Sequence, residues 1–270
     1  MADYTATVEC EIDGRVGILR LNRPRQHNAI NQQMMTEATE ALRRFNEDER
    51  IHSILVTGSG ASFCAGFDLK EIAAKGYTTM SQWRDAITAD FEFVMQFWTS
   101  VKPTVAAVHG YCLGSGLELA VACDVTVADE KATFGEPEVK FGSSIVALIL
   151  PWIVGPKYAK EWLLTGNDRM PASRAAEIGL VNRVVSEGTV EARALELAHE
   201  IAAASPMSVQ MTKRAINRTA DIQGMREALL SAVDTSILIE SNLSPETAEF
   251  NRIANRDGMK AAVAWRDGRH

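Results

Sequence analysis

Residues 110–118 read Gly110-Tyr111-Cys112-Leu113-Gly114-Ser115-Gly116-Leu117-Glu118, with three glycines set between an apolar run and an apolar helix. Upstream, Pro103 to Val108 is short and apolar and stops at His109-Gly110, which predicts a buried strand. Downstream, Gly116 to Ala122 predicts a helix that leads into a second strand, Val125-Thr126-Val127-Ala128. Glycine permits positive φ and close backbone approach, and the first amides of a helix have no intrahelical partner. The cluster can therefore donate hydrogen bonds to an oxygen that carries developing negative charge. Leu119 stands where the dinucleotide fingerprint needs its last glycine, and no Gly-Lys-Ser/Thr follows, so both nucleotide-loop readings weaken. Taken alone, the stretch also fits a tight turn that uses glycine for packing.

A second small-residue exit, Ser62-Phe63-Cys64-Ala65-Gly66-Phe67-Asp68-Leu69-Lys70, also runs into a helix. It offers another set of free amides; an ordinary loop with Asp68 as helix cap fits as well. Two carboxylates stand out: Glu118 in the first turn of the apolar helix, and Glu138 in Phe134-Gly135-Glu136-Pro137-Glu138. Apolar surroundings raise a carboxyl's proton affinity toward the range useful for general acid/base work. A helix-terminal charge and a solvated loop residue are the alternatives.

Working outward, Thr7 to Leu21 reads as two β-type runs around Asp13-Gly14, a hairpin signal. Asn31 can cap a helix through about Phe45, and Ile54 to Thr57 reads as a buried strand. A short helix follows Asp68, and a longer one spans Trp83 to Trp98. Strands alternating with helices indicate a layered α/β fold. Ser205-Pro206 and Ser244-Pro245 are helix starts, so the chain beyond about residue 200 reads as helical.

The chain has 270 residues and a net charge of −7, which disfavours a general nucleic-acid surface. Cys10, Cys64, Cys112 and Cys123 show neither disulfide-framework nor metal-ligand spacing, so reduced thiols and no metal are expected. The longest apolar stretch, Ile145 to Val154, is too short to span a bilayer, and residues 1–11 show no signal-length apolar run. A cytoplasmic protein without membrane attachment is the expectation.

The loop Phe63 to Leu69, the run Lys102 to Ala120, Cys123-Asp124 and Phe134 to Glu138 together resemble the enoyl-CoA hydratase/isomerase (crotonase) family in order and spacing. The resemblance continues through Leu163-Leu164-Thr165-Gly166 and Ala175 to Asn182, about two-thirds of the chain. It implies a spiral of repeated β-β-α turns over residues 1–200 and a helical oligomerisation region over 201–270, building a homotrimer or homohexamer. It further implies that the backbone amides of Phe67 and Ser115 form an oxyanion hole and that Glu118 and Glu138 are catalytic. An acyl-CoA thioester would be the substrate, bound along Arg25, Gln26, His27, Ala29, Ala65, Asp68 and Leu69, with coenzyme A entering as part of it and no separate cofactor. The activity implied is reversible syn hydration of a 2-enoyl-CoA. The alternatives are double-bond isomerisation or another thioester reaction, and a non-catalytic CoA- or RNA-binding relative. Where hydratases carry a glycine-rich stretch after the second glutamate, this chain has the bulkier Val139 to Trp152.

Overall fold

The computed structural model describes residues 6–242 and 244–268. Strands β1 (Val8–Asp13) and β2 (Val16–Leu21) pair antiparallel across a turn in which Gly14 takes φ +57°. Helix α1 (Gln32–Glu47) begins where the Asn31 side chain accepts from Met34 N–H at 3.0 Å. Its stripe of Met34, Ala38, Ala41, Leu42 and Phe45 is buried against the sheet. Next come β3 (Ser53–Gly58), α2 (Leu69–Lys75), α3 (Met80–Thr99), β4 (Thr104–Val108), β5 (Tyr111–Leu113), α4 (Ser115–Ala122), β6 (Val125–Asp129) and β7 (Thr133–Gly135).

A 3-10 helix over Glu138–Phe141 leads to α5 (Leu150–Ile153), α6 (Pro156–Thr165), β8 (Met170–Pro171), α7 (Ala172–Glu177), β9 (Arg183–Val185) and α8 (Val190–Ala203). Four further helices complete the described chain: α9 (Pro206–Ile222), α10 (Met225–Ser241), α11 (Pro245–Asp257) and α12 (Met259–Asp267).

The larger sheet has the order β1-β2-β3-β4-β6-β9 and is parallel from β2 onward, while the smaller runs β5-β7-β8. Two successive turns thus each give one strand to each sheet, β4 then β5 and β6 then β7, which is the expected spiral. Strands β3 and β4 are buried at every position, because both faces of the large sheet are covered. On one face, Val190, Ala194 and Leu197 of α8 pack on Val16, Leu55, Val105 and Val127. On the other, Phe63, Phe97, Leu117 and Phe134 fill the space toward the small sheet.

The residue patterns do not mark the short strands β5 and β7 individually: residues 110–116 read as glycines that close one strand and open a helix, with a tight turn as the alternative. The chain after Ala203 folds back onto the core: α10 lies against α3, and Phe250 of α11 stacks on Phe141 with ring centroids 4.9 Å apart. Arg266 of α12 reaches Asp168 at 2.6 Å, tying the last helix to the loop before β8. No helix among the described residues is long and apolar enough to cross a membrane.

Candidate active site

The loop over residues 62–68 is stitched to β5. Cys64 and Cys112 form a parallel bridge, in which Cys64 N–H donates to Tyr111 O and Leu113 N–H to Cys64 O, both at 3.0 Å. Glycine makes this approach possible: a Cβ on Gly116 would sit 2.4 Å from Cys64 O, and one on Gly66 only 3.3 Å from Ser115 N. Phe67 and Ser115 are thereby neighbours, and neither backbone N–H has a hydrogen-bond partner among the described residues. Gly114 takes the positive φ of +53°, so Ser115 opens α4 in ordinary helical geometry. Two such donors can serve one carbonyl oxygen.

Glu118 lies on the first turn of α4 and is 3 % exposed. Its Oε1 accepts from the Ala147 N–H at 2.9 Å, whereas Oε2 is buried without a hydrogen-bond partner among the described residues. Burial pushes its proton affinity up, and the Ala147 and Ser115 hydrogen bonds pull back only in part. Glu138 opens the 3-10 helix, and its carboxyl oxygen fills the place where Gly114 would carry a Cβ. Burial raises its pKa to about 7, with the Glu118 charge adding to the rise and Arg266 opposing it. The two carboxyls that the sequence singled out therefore bear on one another electrostatically.

The bulky segment after Glu138 supplies the Ala147 amide. Glu240 of α10 holds it in place, accepting from Ser143 Oγ at 2.5 Å, Ser144 N–H at 2.8 Å and Ser144 Oγ at 3.0 Å. Two acids escaped the sequence reading. Glu136, 1 % exposed, lies beside Glu138 and is held protonated well above the usual carboxylate range by burial and by the neighbouring acids. Asp90 of α3 has its pKa raised to about 7, chiefly by burial, with the Glu118 charge adding to it. Glu136 could be found in the sequence only as a second acid two residues before Glu138; Asp90 left no pattern.

Arg25, Gln26 and His27 are exposed and Ala29 is half-buried. Their loop is joined to the first amide loop by Ala65 N–H to His27 O at 3.0 Å, Ile30 N–H to Gly66 O at 2.8 Å and Asp68 N–H to Ile30 O at 2.8 Å. Asn28, fully buried at φ +56°, locks this junction by donating to the carbonyls of Ser59, Ser62 and Phe63. Asp68 is occupied: it caps α2 at Lys70 and Glu71 and pairs with Arg23 at 2.9 Å, so its side chain holds the loop together. Leu69 follows at the start of α2, half-buried. Arg25, Gln26, His27, Ala29, Ala65, Asp68 and Leu69 thus lie at one junction between two loops.

The fold is a two-sheet spiral that brings two amide-bearing loops and three acids of raised proton affinity together. The family described as enoyl-CoA hydratase/isomerase matches residues 11–238, and the chain belongs to that family. It is 39 % identical over 234 residues to a probable enoyl-CoA hydratase of Mycobacterium bovis, covering 83 % of this chain and 86 % of the relative. It is 35 % identical over 254 residues to a 4-chlorobenzoyl coenzyme A dehalogenase of Arthrobacter, covering 92 % and 89 %. The structure of an enoyl-CoA hydratase/isomerase from Xanthobacter autotrophicus Py2 superposes with a TM-score of 0.97 at 46 % identity, covering 99 % of both chains.

Proposed function

We propose that this protein catalyses the reversible syn addition of water across the 2,3-double bond of a 2-enoyl-CoA thioester. The observation that carries the reading is the presence of both Glu118, buried, and Glu138, half-buried with its Oε2 shielded, near the amides of Phe67 and Ser115, which have no partner among the described residues. The two amides hold the thioester oxygen as it becomes enolate-like. Glu118, fixed by Ala147, uses its free Oε2 to hold the water and accept its proton as the oxygen bonds to C3. Glu138 gives a proton to C2, and the proton on Glu118 returns to it, so one water is added and both acids are restored. A Glu138 pKa of about 7 leaves both protonation states populated near neutral pH, as a reversible reaction needs. Coenzyme A lies along this loop junction, with Arg25, Gln26, His27 and Ala29 on one side and Ala65, Asp68 and Leu69 on the other; Arg25 supplies a local positive charge that the acidic whole lacks.

A panel of 2-enoyl thioesters, followed by loss of the enoyl absorbance, tests the reading. Conversion of 3-enoyl substrates without any hydration would replace it with double-bond isomerisation through Glu138, and binding without turnover would make the protein a non-catalytic CoA binder.

A further inference from the structure

Glu136 and Glu138 present an unusual pairing. Both oxygens of Glu136 are buried without a partner among the described residues, and so is Oε2 of Glu138. The two carboxyls are nonetheless in side-chain contact with one another. Two ionised carboxylates offer only acceptors, so neither could satisfy the other, and their shielded oxygens make that costly. A single proton between them removes the conflict, since a protonated carboxyl becomes a donor. The backbone keeps the pair together: Glu136 N–H donates to Asn167 O at 3.1 Å, Gly135 is pressed against the Asp168 backbone, and Pro137 sets the turn between the two acids.

We propose that Glu136 is a positioning residue that stays protonated and donates its carboxyl O–H to Glu138, so that the proposed proton carrier works as one half of a proton-sharing pair. This rests on the hydratase reading for its catalytic meaning, though not for its existence. The shared hydrogen bond stabilises the ionised form of Glu138, aims its other oxygen toward the reacting carbons, and keeps the acid from being trapped protonated by its own burial.

The charged and titratable groups that bear on the pair are Glu118 of α4, the Cys112 thiol of β5 and Arg266 of α12. Lys140 on the same 3-10 helix is engaged by Asp168 at 3.3 Å. Helices α6 and α11, which also pack there, contribute the uncharged Gly166 at the end of α6, and Thr247 and Phe250 of α11.

The test compares wild type with Glu136→Gln, which keeps shape and an N–H donor but holds no exchangeable carboxyl proton, and with Glu136→Leu, which removes the donor. Infrared spectra taken well above the Glu138 midpoint should show a protonated-carboxyl band in wild type that is lost in Glu136→Gln. In dehydration of a 3-hydroxyacyl-CoA, which requires ionised Glu138, the acid-side midpoint should rise by about one pH unit in Glu136→Leu and return most of the way in Glu136→Gln. Absence of the band from wild type, its survival in Glu136→Gln, or an unmoved midpoint in Glu136→Leu overturns the proposal. If no thioester is hydrated or dehydrated by wild type, the functional reading fails, and the band alone then decides whether the proton is shared.

Discussion

A Cβ on Gly114 would lie 2.5 Å from Oε1 of Glu138, so the absent side chain of one residue is the seat of the other's carboxyl. The same glycine adopts the backbone turn that sets Ser115 N–H at the start of α4. One position therefore governs both the second amide donor and the placement of an acid.

Gly114→Ala should displace the Glu138 carboxyl and strain the turn, at a cost of about 1–3 kcal/mol. Turnover of an enoyl-CoA should fall by about 10²-fold or more, as loss of a single well-placed donor or acid does. Steady-state kinetics beside a thermal melt check this; a folded variant with undiminished turnover contradicts the assignment.

Glu118→Gln and Glu138→Gln should each lower hydration by about 10²–10⁴-fold while leaving thioester binding nearly intact. Because the two acids are expected to act on one water, the double variant should be little worse than the poorer single one. Loss of deuterium exchange at C2 should track Glu138→Gln; exchange that survives there and vanishes in Glu118→Gln reverses the two roles.

Stability should fall as pH rises through the interval between the ordinary glutamate value of 4.5 and the Glu138 value of about 7. In that window the folded protein holds a proton that the unfolded chain has released, so the stability present at acid pH is progressively lost. Glu138→Gln carries no such penalty. Its stability relative to wild type, read from denaturant or thermal melts, should climb between about pH 5 and about pH 8, toward an upper bound of roughly 3 kcal/mol at the basic end. A pH-independent difference would show that Glu138 ionises as freely in the fold as in water.

Helices α9 and α10 expose Ile216 (65 %), Ile222 (73 %) and Leu238 (53 %), apolar surface that a lone chain leaves in water. We expect the native mass to be a multiple of three chains, read by light scattering. Charged substitutions at Ile216 and Ile222 should lower it. A monodisperse, fully active monomer refutes the expectation.

The elements most legible in the sequence were those with local causes. Asn31 caps α1 through its own side chain, Asp13-Gly14 turns the opening hairpin, and Ser244 caps α11 by accepting from Thr247 N–H at 3.1 Å. The amide loops were legible because glycine spacing records where backbone must approach backbone, as Gly66 and Gly116 do. Strands of two or three residues, such as β5, β7 and β8, are too short to show a period, and their pairing is decided by chain far away. The same holds for the chemistry. Sequence placed Glu118 and Glu138 on a helix and a loop. Only tertiary structure brought Ala147 N–H to Glu118, set Glu136 against Glu138, and shielded all three enough from water to raise their proton affinities. Local propensity is written in neighbouring residues, whereas the desolvation that tunes an acid depends on everything packed around it.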